Sequence, residues 1–178
     1  MKRIFLTFVV ITLIAAIPGE IQAADVSSYS ATAKVKAEII TVITLTKAED
    51  MIFGSLAPSG TDGSCVLSTS GVRTLSNVYS DAGGTTPSAA RFDVSGRSLT
   101  PFTIVLPESA VVNLGGESGS ASMYVTSFKA RPESKSEDAL IGVVGTDKYF
   151  TVGATITVGA AQTVGSYLGD FSVSIAYD

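Results

Sequence analysis

Two stretches, one toward each end of the chain, carry the cleanest alternation of apolar and polar positions. Ala31, Ala33, Val35, Ala37 and Ile39 alternate with Thr32, Lys34, Lys36 and Glu38. Phe171, Val173, Ile175 and Tyr177 alternate with Ser172, Ser174 and Ala176, and the sequence stops one residue later. A period of two puts every second side chain on one face of a strand, so each stretch predicts a strand with a single apolar row. From Ile39 to Ile43 the pattern changes to Ile-Ile-Thr-Val-Ile, apolar on both faces, as in a central strand.

The sequence between them repeats the theme in shorter pieces. Strands are predicted near Thr32–Leu45, Met51–Leu56, Cys65–Thr69, Ala90–Val94, Phe102–Leu106, Ser122–Phe128, Tyr149–Val158 and Tyr167–Tyr177. Turn chemistry separates them: Pro58-Ser-Gly60, Asp62-Gly63, Asp81-Ala-Gly-Gly84, Gly115-Gly116 and Gly159. Arg131 to Asp138 reads as a charged surface loop, and helical signals are nearly missing. The expectation is an all-β, immunoglobulin-like β-sandwich of about seven to nine strands. No composition shift marks a second domain, and no period marks a repeat array.

The first residues follow a different logic. Lys2-Arg3 precedes an uncharged run from Ile4 to Ile17, Pro18-Gly19 breaks it, and Ile21-Gln22-Ala23 before Ala24 suits cleavage. Residues 1–23 therefore read as a signal peptide, and 24–178 as a single domain whose N-terminal extension spans about 24–39. No Cys follows the apolar run to accept a lipid anchor. The expected location is the periplasm, then the cell surface or the medium. Without Lys2, Arg3 and Glu20, ten basic and fifteen acidic residues remain, a net charge of −5. The basic residues form no stripe, which argues against nucleic-acid binding.

Candidate chemistry is sparse. Histidine and tryptophan are absent, which removes His-dependent nucleophile systems, most zinc sites and histidine pH switching. Cys65 is the only cysteine and reads as a small buried hydrophobe on a strand. Glu49-Asp50 and Glu137-Asp138 are neighbours in turn-like contexts, and adjacent strand residues point to opposite faces, so neither pair suits two-carboxylate catalysis. Asp62-Gly63 lacks the further acids of a calcium loop, and the Gly pairs lack what a phosphate cradle needs behind them. The tyrosines at 124, 167 and 177 fall in strand patterns and read as packing residues. No enzyme activity, metal or cofactor is expected.

The two alternating rows suggest a binding mode. A strand added to an open sheet edge makes a backbone ladder and buries every second side chain. Five side chains of Ala, Val and Ile size would gain on the order of 5–8 kcal/mol from apolar burial. Such a strand could fold onto its own domain or insert into a neighbour.

Three segments carry a family resemblance. Met51-Ile-Phe-Gly-Ser-Leu56 resembles a short element near the start of a group of exported bacterial β-sandwich proteins of unknown function. Pro101 to Pro107 resembles their middle strand, and Phe150 to Gly159 with Gly165 to Tyr177 resembles their C-terminal signature. The ending is also similar to that of archaic, spore-coat-type chaperone–usher pilins, through the alternating extension, a Gly fourteenth from the end (Gly165) and the penultimate Tyr177. The resemblance implies donor residues Ala31, Ala33, Val35, Ala37 and Ile39, and a C-terminal acceptor strand containing Gly165, Phe171, Val173, Ile175 and Tyr177. It also implies self-association by strand exchange, with a periplasmic chaperone and an outer-membrane usher as assembly partners. Many pilins carry a disulfide, and Cys65 has no partner to form one. The expected function is a structural subunit of a surface fibre. The alternative is a monomeric exported binding module, with carbohydrate as one candidate ligand.

Overall fold

The described residues, 29–81 and 83–178 of a computed structural model, hold thirteen strands and no helix. The signal peptide expected at 1–23 lies outside them. The strands are β1 (Thr44–Glu49), β2 (Leu56–Pro58), β3 (Gly63–Leu67), β4 (Arg73–Ser76), β5 (Val78–Ser80), β6 (Ala90–Ser95) and β7 (Pro101–Val105). They continue as β8 (Ser109–Leu114), β9 (Ser122–Pro132), β10 (Ile141–Val143), β11 (Tyr149–Val158), β12 (Tyr167–Leu168) and β13 (Ser174–Tyr177). The all-β, sandwich-like expectation is met. The number exceeds seven to nine because several elements are only two or three residues long.

One sheet of eight strands dominates, with the order β1-β6-β11-β9-β8-β12, while β3 joins β11 and β4 joins β3. β11 is its centre because its ten residues serve two neighbours on one edge. Tyr149 to Val152 pair with β6, and Ala154 to Val158 pair with β3. Its pattern explains that place: Phe150, Val152, Ala154, Ile156 and Val158 are all buried on one face. A smaller sheet, β10-β7-β13, supplies a second layer, and β2 pairs with β5 alone.

The core divides in two. In one half, Ala90, Phe92, Val94, Ala130, Phe150 and Val152 of the large sheet meet Phe102 and Ile104 of β7 and Val144, all buried. Phe92 and Phe150 stack there with centroids 5.4 Å apart. In the other half, Cys65, Val125, Ala154 and Ile156 are buried, but the apolar residues around them, among them Met51, Phe53, Ala110, Val112, Met123 and Phe128, are only half covered.

Asp147 is the one charged residue of the core among the described residues, fully buried. Its carboxylate accepts the Ser134 and Val143 amides, each at 2.7 Å, and so ties the loop after β9 to β10. Burial raises its pKa, but those amides and the nearby Lys135 more than reverse this, leaving the carboxyl below its ordinary range.

Three strand assignments need correction. The strand expected from Thr32 begins only at Thr44, and residues 29–43 carry none. Ile39 to Ile43 do not form a doubly buried strand: Ile39 is wholly exposed and Val42 is 72% exposed. An apolar run specifies faces, whereas a strand also needs a neighbour for its backbone. Met51 to Ser55 is extended chain with a lone bridge from Ile52 to Ser88, and strand structure begins at Leu56. Tyr167 to Tyr177 is two strands. β12 pairs with β8 in the large sheet, and after five unpaired residues β13 pairs with β7 in the other layer.

Candidate functional site

Where the second half of the core is left half covered, the fold opens into a groove of about 1070 Å³. The inner face of the large sheet contributes Ala110 and Val112 from β8, Met123, Val125 and Phe128 from β9, and Ile156 and Val158 from β11. Most of the remaining lining comes from two stretches that are mainly irregular chain, Met51–Pro58, which ends in β2, and Gln162–Phe171, which contains β12. Charge enters only through Lys47, Glu49, Asp50 and Asp170, all of them exposed, while Ser55, Thr85, Gln162, Thr163 and Ser166 add uncharged polar groups to the lining.

The first of these stretches is held by a residue that sequence reasoning passed over. Arg73, on β4, donates from Nη1 to the Phe53 carbonyl at 2.9 Å and reaches the Ser55 carbonyl at 3.4 Å. Gly54, between those carbonyls, has φ +75°. A Cβ at that position would lie 2.6 Å from the Thr85 carbonyl oxygen and 2.9 Å from the guanidinium. The Phe-Gly pair therefore has a local cause: Phe53 packs against the half-covered core while Gly54 lets the backbone turn beneath a cation. A lone Arg in a short, Ser/Thr-rich strand offers no periodic signal, so it was not legible in advance.

The second stretch contains part of the expected acceptor set. Gly165 lies in the loop before β12 and lines the groove, and a Cβ there would collide with the Leu114 side chain. Phe171 lies between β12 and β13 and also lines the groove. Its ring packs at 5.1 Å from Phe128 and edge-on to Phe92 at 6.1 Å, so it stands where the closed half meets the open one. Val173, Ile175 and Tyr177 point into the closed half, with Ile175 opposite Ile104 and Tyr177 opposite Phe102. Ser174 and Ala176 face outward. β13 is an edge strand: β7 occupies one side of it, and no strand occupies the other among the described residues. The Tyr177 hydroxyl accepts the Arg97 amide at 2.7 Å and donates to the Thr41 carbonyl at 3.0 Å.

The expected donor residues are exposed throughout. Ala31, Ala33 and Ala37 are exposed, Val35 is 94% exposed and Ile39 is 100% exposed. The acid pairs make ordinary surface contacts. Asp50 pairs with Lys47 at 2.6 Å, and Asp138 accepts Thr69 at 2.9 Å and faces Lys129 at 3.5 Å. Cys65 is fully buried beneath the groove, and burial pushes its thiol pKa up, against a smaller pull from Arg73. No cluster of three or more metal-ligating side chains occurs among the described residues.

A family described as a domain of unknown function (DUF4402) matches residues 43–177. The match takes in both stretches of the groove lining and all of β13, and leaves out the alternating row before Ile43. No curated protein and no solved structure matches the chain.

Proposed function

The chain belongs to the DUF4402 family, and we propose that it is an exported, non-enzymatic structural subunit of a bacterial surface fibre. Subunits join when the Ala31–Ile39 row of one enters the groove of the next. The observation that carries this reading is the groove itself: a trough of about 1070 Å³ floored by apolar side chains of the large sheet, in a domain that otherwise covers its core. Its lining ends at Phe171, three residues before β13, whose outer edge has backbone groups to offer. A strand laid there gains a ladder on one side and apolar contacts beneath. The exposed row at Ala31, Ala33, Val35, Ala37 and Ile39 has the matching form, with small to medium apolar side chains on one face and Thr32, Lys34, Lys36 and Glu38 on the other. Small donors suit a groove already narrowed by Phe53, Phe128 and Phe171. In this reading a periplasmic chaperone covers the groove before assembly and an outer-membrane usher exports the product.

Val35→Asp tests it. A carboxylate in the middle of the row enters an apolar groove at a cost of several kcal/mol. Surface material sheared from cells should lose its multimers while each subunit still folds, because the damaged row serves a neighbour; its empty groove should melt several degrees below a subunit held in a wild-type fibre. A wild type that is monomeric at every concentration, with Val35→Asp merely lowering its midpoint, favours a monomeric binding module and ends the fibre reading.

A further inference from the structure

We infer that Tyr177 is a positioning residue for assembly: its hydroxyl ties the segment from which the donor row departs to the strand that receives a donor. Three pieces of chain distant in sequence meet at that hydroxyl. It accepts the Arg97 amide at 2.7 Å from the turn after β6 and donates to the Thr41 carbonyl at 3.0 Å. The surroundings are shaped for it. A Cβ on Gly96 would collide with the hydroxyl and lie 3.1 Å from the Ile43 Cα, so glycine is what lets the turn close on both. The Tyr177 ring and the Ile43 side chain both pack against the closed half of the core, and Arg97 adds an exposed ion pair to Glu38 at 3.2 Å.

The consequence rests on the fibre reading. β13, which ends at Tyr177, offers its outer edge to an incoming donor, and the hydroxyl at its end holds Thr41, from which the subunit's own donor row leads away. Incoming and outgoing connections then share one short strand. The incoming donor's strand partner and the start of the outgoing row are thus joined by one hydroxyl, in parallel with the covalent path from Thr41 into β1. Removing the oxygen alone should leave donation intact and slacken the joint.

The experiment compares wild type, Tyr177→Phe and Glu38→Gln as full exported chains, by amide hydrogen exchange and by electron microscopy of the fibres. Tyr177→Phe keeps the packed ring. It should raise exchange of the Arg97 amide roughly fivefold, as for loss of one ordinary hydrogen bond. Its fibres should form in normal yield and curve more sharply, with the melting midpoint lowered by only a few degrees. Glu38→Gln should change both readouts less than twofold, because the pair is exposed. Unchanged exchange at Arg97 in Tyr177→Phe overturns the tie. Faster exchange with fibres as stiff as wild type overturns its role in assembly. A monomeric wild type ends the fibre reading, and the exchange comparison then decides the tie by itself.

Discussion

Phe150 and Phe128 stand on paired strands of one sheet, yet they meet different surroundings. Phe150, on β11, is fully buried and stacked on Phe92 beneath the smaller sheet. Phe128, on β9, is half covered, leans on Phe171 and lines the groove. Both belong to a large sheet that is continuous across the two halves of the core. What differs is the second layer. β7, β10 and β13 close over one half, while over the other run mostly irregular segments, broken only by the short strands β2 and β12, that leave a trough. Burial here is set by what lies above a residue.

The widest gap between the halves should appear in cavity-forming substitutions. Phe150→Ala should lower the unfolding free energy by about 3–5 kcal/mol. Phe128→Ala should lower it by about 1–2 kcal/mol in the isolated subunit, since less of that ring leaves water on folding. Urea unfolding measures both, and equal losses would erase the distinction.

Filling the groove should make the open half behave like the closed one. A peptide of sequence Ala31–Ile39, added to the Val35→Asp chain at a hundred times its dissociation constant, should stabilise it by about 2.7 kcal/mol. Thermal melting should register that as a rise of several degrees. A shuffled peptide that scatters the apolar residues over both faces should do nothing, and equal effects from the two peptides would show unspecific adsorption.

A smaller effect belongs to the closed half and its neighbouring loops. The Asp147 carboxyl titrates below its ordinary range when folded, so ionised Asp147 favours the native state. That contribution is complete above the unfolded value of about 3.9 and fades as pH falls through the lower folded value. Asp147→Asn should flatten the acid limb of the melting-midpoint curve. Asp147→Ala, by leaving the Ser134 and Val143 amides without an acceptor, should cost about 1–3 kcal/mol at neutral pH. An unchanged acid limb in the Asn variant would remove Asp147 from the account.

The least effect on stability, and the finest readout, comes from Cys65. Buried under the open half with a raised thiol pKa, it should react with an alkylating reagent only when that half opens. Labelling in native buffer should be far slower than in denaturant and slower still with the peptide bound. Labelling unaffected by the peptide would mean that the groove and the cysteine open independently.

Much of this was legible in advance, for a definite reason. β11, β6 and β7 were readable because each buries one face, and a buried face writes period two into the sequence. β4, β5, β8 and β10 were missed: β4, β5 and β10 are three or four residues long, too short for a period to emerge, and β8 places apolar Val111 and Val112 side by side, which breaks the alternation. The alternation from Phe171 to Tyr177 was read correctly as one inward-facing row, but the row begins before its strand does. Phe171 faces the same core as Ile175 without a paired backbone, because side-chain burial and backbone pairing are separate requirements.

Taken alone, the sequence determined which side chains must leave water and in what rhythm, and hence an all-β molecule with an apolar row near each end. Those are properties of neighbours along the chain, and local periodicity records them. Only the tertiary structure decided that the large sheet is covered over half its length, that Arg73 holds Phe53 and Ser55 beside the groove, and that Tyr177 reaches both Thr41 and Arg97. Each joins residues separated by tens of positions. Their meeting depends on strand order and on where a layer stops, and a one-dimensional pattern carries no term for either.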